Sequence, residues 1–277
     1  WFIVGRRAET PPPRHWPVAV VTFSGSGSPR LADGAFSAAS FSDPFGVALD
    51  PSGRVYVSDA GDNNLIRTIS PAGDVTTLAG GKEGFSDGVS TEAAFHTPSG
   101  VAVAPDGTLV VADTGNHAIR RVSAEGVVTT IAGGGGRGRV DGPAADARFD
   151  GPVGVAVAGD GTVFVADTYN DCIRRIGTDG AVTTIAGGVL AGHRDGTGPG
   201  ALFHTPSGIA VDAAGTLFVA DTGNHAVRRI DLDGRVTTIL PAAGDGAFDT
   251  TAVGLWHPAG VAVAPFGDVY VTDAGGR

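Results

Sequence analysis

The stretch VADTGNHAIRRV, from Val111 to Val122, gathers an Asp, an Asn, a His and two Arg. A carboxylate beside an imidazole can move protons, and the same residue types ligate metals. The stretch is not unique. VADTGNHAVRRI returns at Val219 to Ile230, VADTYNDCIRRI at Val165 to Ile176, and a looser VSDAGDNNLIRTI covers Val57 to Ile69. One catalytic centre needs one copy, so repetition points to backbone architecture. Asp59, Asp113, Asp167 and Asp221 are expected to form turns, their carboxylates accepting from following backbone N–H groups. Gly115 and Asn116 are expected to take positive φ. Arg67, Arg120, Arg174 and Arg228 are expected to reach a carboxylate or carbonyl of a neighbouring strand or blade.

A second set varies where the first repeats. Ser42, His96, Asp150, His204 and Trp256 occupy matching places just before a recurring apolar strand. Two His and an Asp converging on one axis would hold a metal ion. The competing expectation is a shallow polar mouth with no bound ion, in which His96 and His204 cap the Thr-Pro start of the strand. Together with Asn116, His117, Asn170, Asp171, Asn224 and His225, these residues form the candidate binding surface. Cys172 stands where Ala118 and Ala226 stand in other copies, which makes it a small packing residue. No Gly-x-Ser-x-Gly, phosphate loop or HExxH occurs.

The elements that must position these residues are legible from the repeat. Pro-x-Gly-Val/Ile-Ala-Val/Leu begins at Pro44, Pro98, Pro152, Pro206 and Pro258, at intervals of 54, 54, 54 and 52 residues. Between Pro98 and Asp150 lie four apolar runs: SGVAVAP, TLVVADT, HAIRRV and VVTTIAG. Each has strand length, and the first three are closed by DG, GN and AEG. Four strands per repeat make the blade of a β-propeller. The first strand alternates Val with Ala, which suits the crowded axis. The hydroxyl-rich VTTI suits an outer edge. PVAVVTFSGSG, from Pro17 to Gly27, resembles a fourth strand, and the Pro258 repeat stops after two. This predicts five blades, closed by the Ala19–Ser24 strand outermost in the last blade, or a cropped six-bladed ring. Residues 1–19 are expected to be an N-terminal segment and Pro-rich linker, and residues 20–277 the propeller.

Composition narrows the function. A net charge of -10, with Lys82 the only Lys, argues against a nucleic-acid surface, which needs clustered positive charge. No apolar run of bilayer length exists. One Cys permits no disulfide framework and leaves the compartment open. With no Met, the sequence is expected to be a processed or cropped piece of a longer protein.

PSGVAVAPDGTLVVADTGNHAIRRV resembles the NHL repeat, and the likeness recurs in register from about residue 20 to 277. The resemblance implies a propeller, usually of six blades, that presents a loop-rich face to a protein or small-molecule ligand without catalysis. It also implies an alternative. Amidating lyases and lactonases of similar architecture hold an axial metal with His and carboxylate ligands. The regular blades favour the scaffold, with no cofactor.

Overall fold

The structure is a computed structural model that describes residues 21–240 and 254–275. Short runs rich in Val, Ile and Thr, punctuated by Gly-containing turns, form antiparallel sheets throughout. Blade 1 comprises β1 (Pro44–Leu49), β2 (Val55–Asp59), β3 (Leu65–Ile69) and β4 (Val75–Gly80). After the two-residue β5 (Gly88–Val89), blade 2 comprises β6 (Pro98–Val103), β7 (Leu109–Asp113), β8 (Ala118–Val122) and β9 (Val127–Gly133). After β10 (Gly142–Pro143), blade 3 comprises β11 (Pro152–Val157), β12 (Val163–Asp167), β13 (Cys172–Ile176) and β14 (Ala181–Ala186). After β15 (Gly196–Thr197), blade 4 comprises β16 (Pro206–Val211), β17 (Leu217–Asp221), β18 (Ala226–Ile230) and β19 (Arg235–Leu240). A last sheet holds β20 (Pro258–Val263) and β21 (Val269–Asp273).

Each blade is a meander in sequence order, and its long preceding link folds back onto its outer strand. Thus β5 pairs with β9, β10 with β14 and β15 with β19, while Gly34 bridges Val75 in blade 1. The link covers an edge that would otherwise template aggregation.

The core lies between blades. Val101, Leu109, Val111 and Val122 of blade 2 meet Tyr56, Ile66 and Ala79 of blade 1. The opposite face of blade 2, with Val110, Ile119 and Ala132, meets Val155, Val163 and Val165 of blade 3. Ala156, Ala166 and Ile173 then meet Ile209, Leu217 and Val219. Both faces of an interior blade are therefore dry, which explains the near-continuous apolar runs.

The strands β1, β6, β11, β16 and β20 lie side by side as the inner wall. Each carries an irregular register at its Pro-x-Gly. There the glycine faces the backbone of the next inner strand. A Cβ on Gly46, Gly100, Gly154 or Gly208 would collide with the carbonyl of Ser99, Val153, Ser207 or Ala259. Thr114, Thr168 and Thr222 donate across the same junctions to the carbonyls of Pro152, Pro206 and Pro258, at 2.6, 2.8 and 2.7 Å.

The blade count and the closure differ from the sequence expectation. The described residues form four complete blades and one two-stranded sheet, not five blades. Ala19 and Val20 of the expected closing strand lie outside the described residues. Residues 21–24 form no strand, and Ser24 and Gly25 hydrogen-bond to the Phe36 and Gly73 carbonyls beside blade 1 instead. On β1, Phe45, Val47 and Leu49 are 59%, 69% and 65% exposed, whereas Val101, Val155 and Ile209, equivalent to Val47, are at 7%, 6% and 6%.

Candidate functional site

The repeated Asp and Arg form a buried network inside each blade. Arg120 and Asp113 have no exposed side-chain surface and pair at 2.6 Å. Arg120 also meets Asp87 of the preceding link at 2.7 Å and donates to the Ser86 and Ala94 carbonyls. Its guanidinium lies between Phe85 and Phe95, at 4.9 and 5.2 Å from the ring centroids. The pattern repeats as Arg67 with Asp59 and Asp33, Arg174 with Asp167 and Asp141, and Arg228 with Asp221 and Asp195.

Asp113 does not accept from the N–H groups that follow it, as the sequence led us to expect. One oxygen takes the His96 N–H at 2.7 Å, and the other takes Asn116 Nδ2 at 2.8 Å. Asp59, Asp167 and Asp221 likewise take the N–H of Ser42, Asp150 and His204. Burial pushes Asp113 and Asp221 above the ordinary Asp value and Asp167 up to about 6, against the pull of these donors.

Asp-Gly recurs once in each link, at Asp33, Asp87, Asp141, Asp195 and Asp245, a pair that reads as a turn former, and in the described links it does more than turn. Asp87, Asp141 and Asp195 accept from Arg and from the Thr130, Thr184 and Thr238 N–H of the outer strand. Burial opposes ionisation of these carboxyls, but the Thr and Arg donors outweigh it and hold them below the usual range. Sequence reasoning missed this role, although the regular recurrence of Asp-Gly was its signal.

Most of the candidate binding residues serve as clasps. Asn116, Asn170 and Asn224 each spend their amide on the blade Asp and on a link carbonyl, those of Gly84, Gly138 and Gly192. The left-handed residue of the turn is not Gly115 or Asn116 but His117, matched by Asn64, Asp171 and His225. Asn, Asp and His tolerate that conformation better than most side chains. These four residues reach the next blade. Asn64 and Asp171 accept from Thr97 and Thr205 N–H at 2.7 Å, and His117 Nδ1 accepts from Gly151 N–H at 2.9 Å. His225 Nδ1 donates to the Trp256 carbonyl.

The mouth residues do not share one centre. His96 lies against Gly115 and approaches Glu83 at 3.5 Å. Asp150 meets His117 at 3.6 Å and the exposed Arg137 at 3.2 Å. His204 lies against Gly223. His96 and His204 are drawn over the turns of their own blades, whereas the Asp150 carboxylate is drawn to the turn of blade 2 and the link before blade 3. Among the described residues, no three His, Cys, Asp or Glu side chains come together as metal ligands. Cys172 is buried at the start of β13, and burial pushes its thiol up to about 12.

What remains exposed is one side chain per blade over the same glycine-lined seat. Ser42 faces Gly61, His96 faces Gly115, His204 faces Gly223 and Trp256 faces Gly275. In blade 3 the roles reverse, and the Tyr169 ring lies over Gly151.

Residues 95–121, 149–176 and 203–230 match the NHL repeat. The chain is 31% identical over 204 residues to Protein SUPPRESSOR OF QUENCHING 1, chloroplastic, of Arabidopsis thaliana, covering 69% of the chain and 19% of that protein. It is 30% identical over 272 residues to NHL repeat-containing protein 2 of Bos taurus, covering 84% of the chain and 37% of that protein. The chain thus spans well under half the length of these relatives. Among solved structures it is similar to a putative gluconolactonase, with a TM-score of 0.57 and 18% identity, covering 91% of the chain.

 The covered share of the gluconolactonase chain is 77%. A streptogramin B lyase gives a TM-score of 0.54 at 15% identity, covering 83% of the chain and 62% of the lyase. At these identities the likeness is one of fold.

Proposed function

The chain belongs to the NHL-repeat family, and from that premise we propose that it is a noncatalytic binding propeller, one domain of a longer protein, whose loop-rich face takes a protein ligand. The observation that carries this reading is a division of labour between buried and exposed side chains. The repeated Asp, Arg and Asn are consumed by the network within each blade, whereas the exposed seats differ from blade to blade. Repetition of the first set builds the scaffold, and variation of the second gives one face its identity. The short spans matched in the longer relatives support a domain role.

A photo-crosslinking residue placed at Tyr169 on the loop face, and separately at Leu232 on the opposite turn, tests the proposal. Discrete protein adducts from position 169 and none from 232 are expected in extract from the source cells. Adducts from 232 alone would move the binding face. A stoichiometric zinc or calcium ion, retained after equilibration and lost in both His96→Ala and His204→Ala, would replace the scaffold with a metal-dependent enzyme.

A further inference from the structure

Resting on that reading, we infer that the seats over the turn glycines form a stacking track for the guanidinium groups of an extended basic peptide. Four successive seats carry rings: His96, Tyr169, His204 and Trp256. Tyr169 and Trp256 are 65% and 58% exposed, far more than packing requires of such large side chains. The His96, Tyr169 and His204 rings lie directly on a glycine, and Trp256 meets Gly275 through its Cβ, so each side chain starts low over the turn. A ring held in this way loses little freedom when a planar group settles on it.

Charge selects the occupant. The chain carries a net charge of -10. Glu83 stands beside His96 at 3.5 Å, and Asp150 lies at the foot of Tyr169, whose N–H donates to the Asp150 carbonyl at 3.0 Å. The mostly buried Asp150 carboxylate already draws an exposed guanidinium, that of Arg137, at 3.2 Å. Asp171 adds a further carboxylate between the third and fourth blades. A ring with an adjacent carboxylate is also how this fold holds its own cations: the four buried Arg lie 4.9–5.2 Å from Phe rings and pair with Asp. Guanidinium suits the seat better than ammonium, because it is planar and less strongly hydrated.

Calorimetric titration with an octapeptide of alternating Arg and Gly tests the inference on the full chain. Its Lys-Gly analogue and a neutral glucose hexasaccharide are the comparators. Tyr169→Gly and Trp256→Ser install residues that other blades carry at the same seat, so melting temperature should hold. Each variant should weaken the Arg peptide by about three- to tenfold, the double variant by more, and the Lys analogue should bind less well than the Arg peptide. Equal affinity in the parent and the double variant overturns the track. So does binding of the hexasaccharide through these rings without the Arg peptide, or binding of neither. Adducts from position 169 alongside any of those three results would retire the track and leave the binding face standing.

Discussion

Gly154→Ala should open the junction between blades 3 and 4. Gly154 lies in extended strand, so alanine meets no backbone strain there, and the cost is steric. The Cβ would press on the Ser207 carbonyl, which belongs to β16 and cannot rotate away. The scale follows from Gly208, the loosest of the four junctions, where a Cβ would lie 2.6 Å from the Ala259 carbonyl oxygen against 3.4 Å for ordinary contact. Gly154 is tighter, so its inner strands must part by more than about 0.8 Å, enough to forfeit a quarter to a half of the dispersion across the affected contacts. Overpacking of this kind costs about 1–3 kcal/mol, offset by about 0.4–1 kcal/mol from a stiffer unfolded chain. A net loss of about 1.3 kcal/mol lowers the melting temperature by about 3–5 °C for a chain of this size. Gly260→Ala is the control. Its Cβ would approach only the Thr272 side chain, at 2.8 Å, so the shift should be below about 2 °C. Circular dichroism melts of both variants provide the assay. Gly154→Ala melting with the parent, or both variants falling equally, would refute close backbone approach as the reason for the glycine.

Arg174→Leu should destabilise by about 3–5 kcal/mol in urea melts, because it strands the buried Asp167, whereas the exposed Arg175→Leu should stay within about 0.5 kcal/mol. The pH profile should be humped. Asp167, raised to about 6, takes up a proton in the fold before the unfolded chain does, so stability rises as pH falls from 7 toward 5. Asp87, Asp141 and Asp195, held below 3.8, stabilise the fold above that value and lose this contribution as pH falls through their folded pKa values. Melting temperatures should therefore peak between these limits, and Asp167→Asn should flatten the rise; a monotonic fall from pH 7 to 5 would contradict the assignment. Cys172 should resist Ellman's reagent in the folded protein and react on unfolding, and rapid native labelling would show that its burial is wrong.

The repeat made the four-stranded blade, the turn and the structural Asp–Arg motif readable, because periodicity in strands and turns is a local property. Partners more than thirty residues apart were not readable. Nothing near Asp87 in the sequence points to Arg120. The strand-like PVAVVTFSGSG could not name the edge it pairs with, since an apolar alternation fits any open edge. The position of His96 before its strand was plain, but the direction of its ring was not. One signal had been available: each ring has a glycine as its counterpart eighteen or nineteen residues away, and blade 3 exchanges the two as Gly151 and Tyr169.

The exposed face of β1 has a kinetic consequence. An interior blade is held by two neighbouring blades, whereas among the described residues the one blade packed against blade 1 is blade 2, and Phe45, Val47 and Leu49 stay exposed. In an array governed by nearest-neighbour contacts, a unit with one interface opens more often than a unit with two. Amide exchange should therefore run as a gradient, with the β2 and β3 amides surrendering protection before the same amides of β12 and β13. Fraying of that unit would bare the Val101, Leu109 and Val111 face of blade 2, so the molecule would come apart blade by blade from one side.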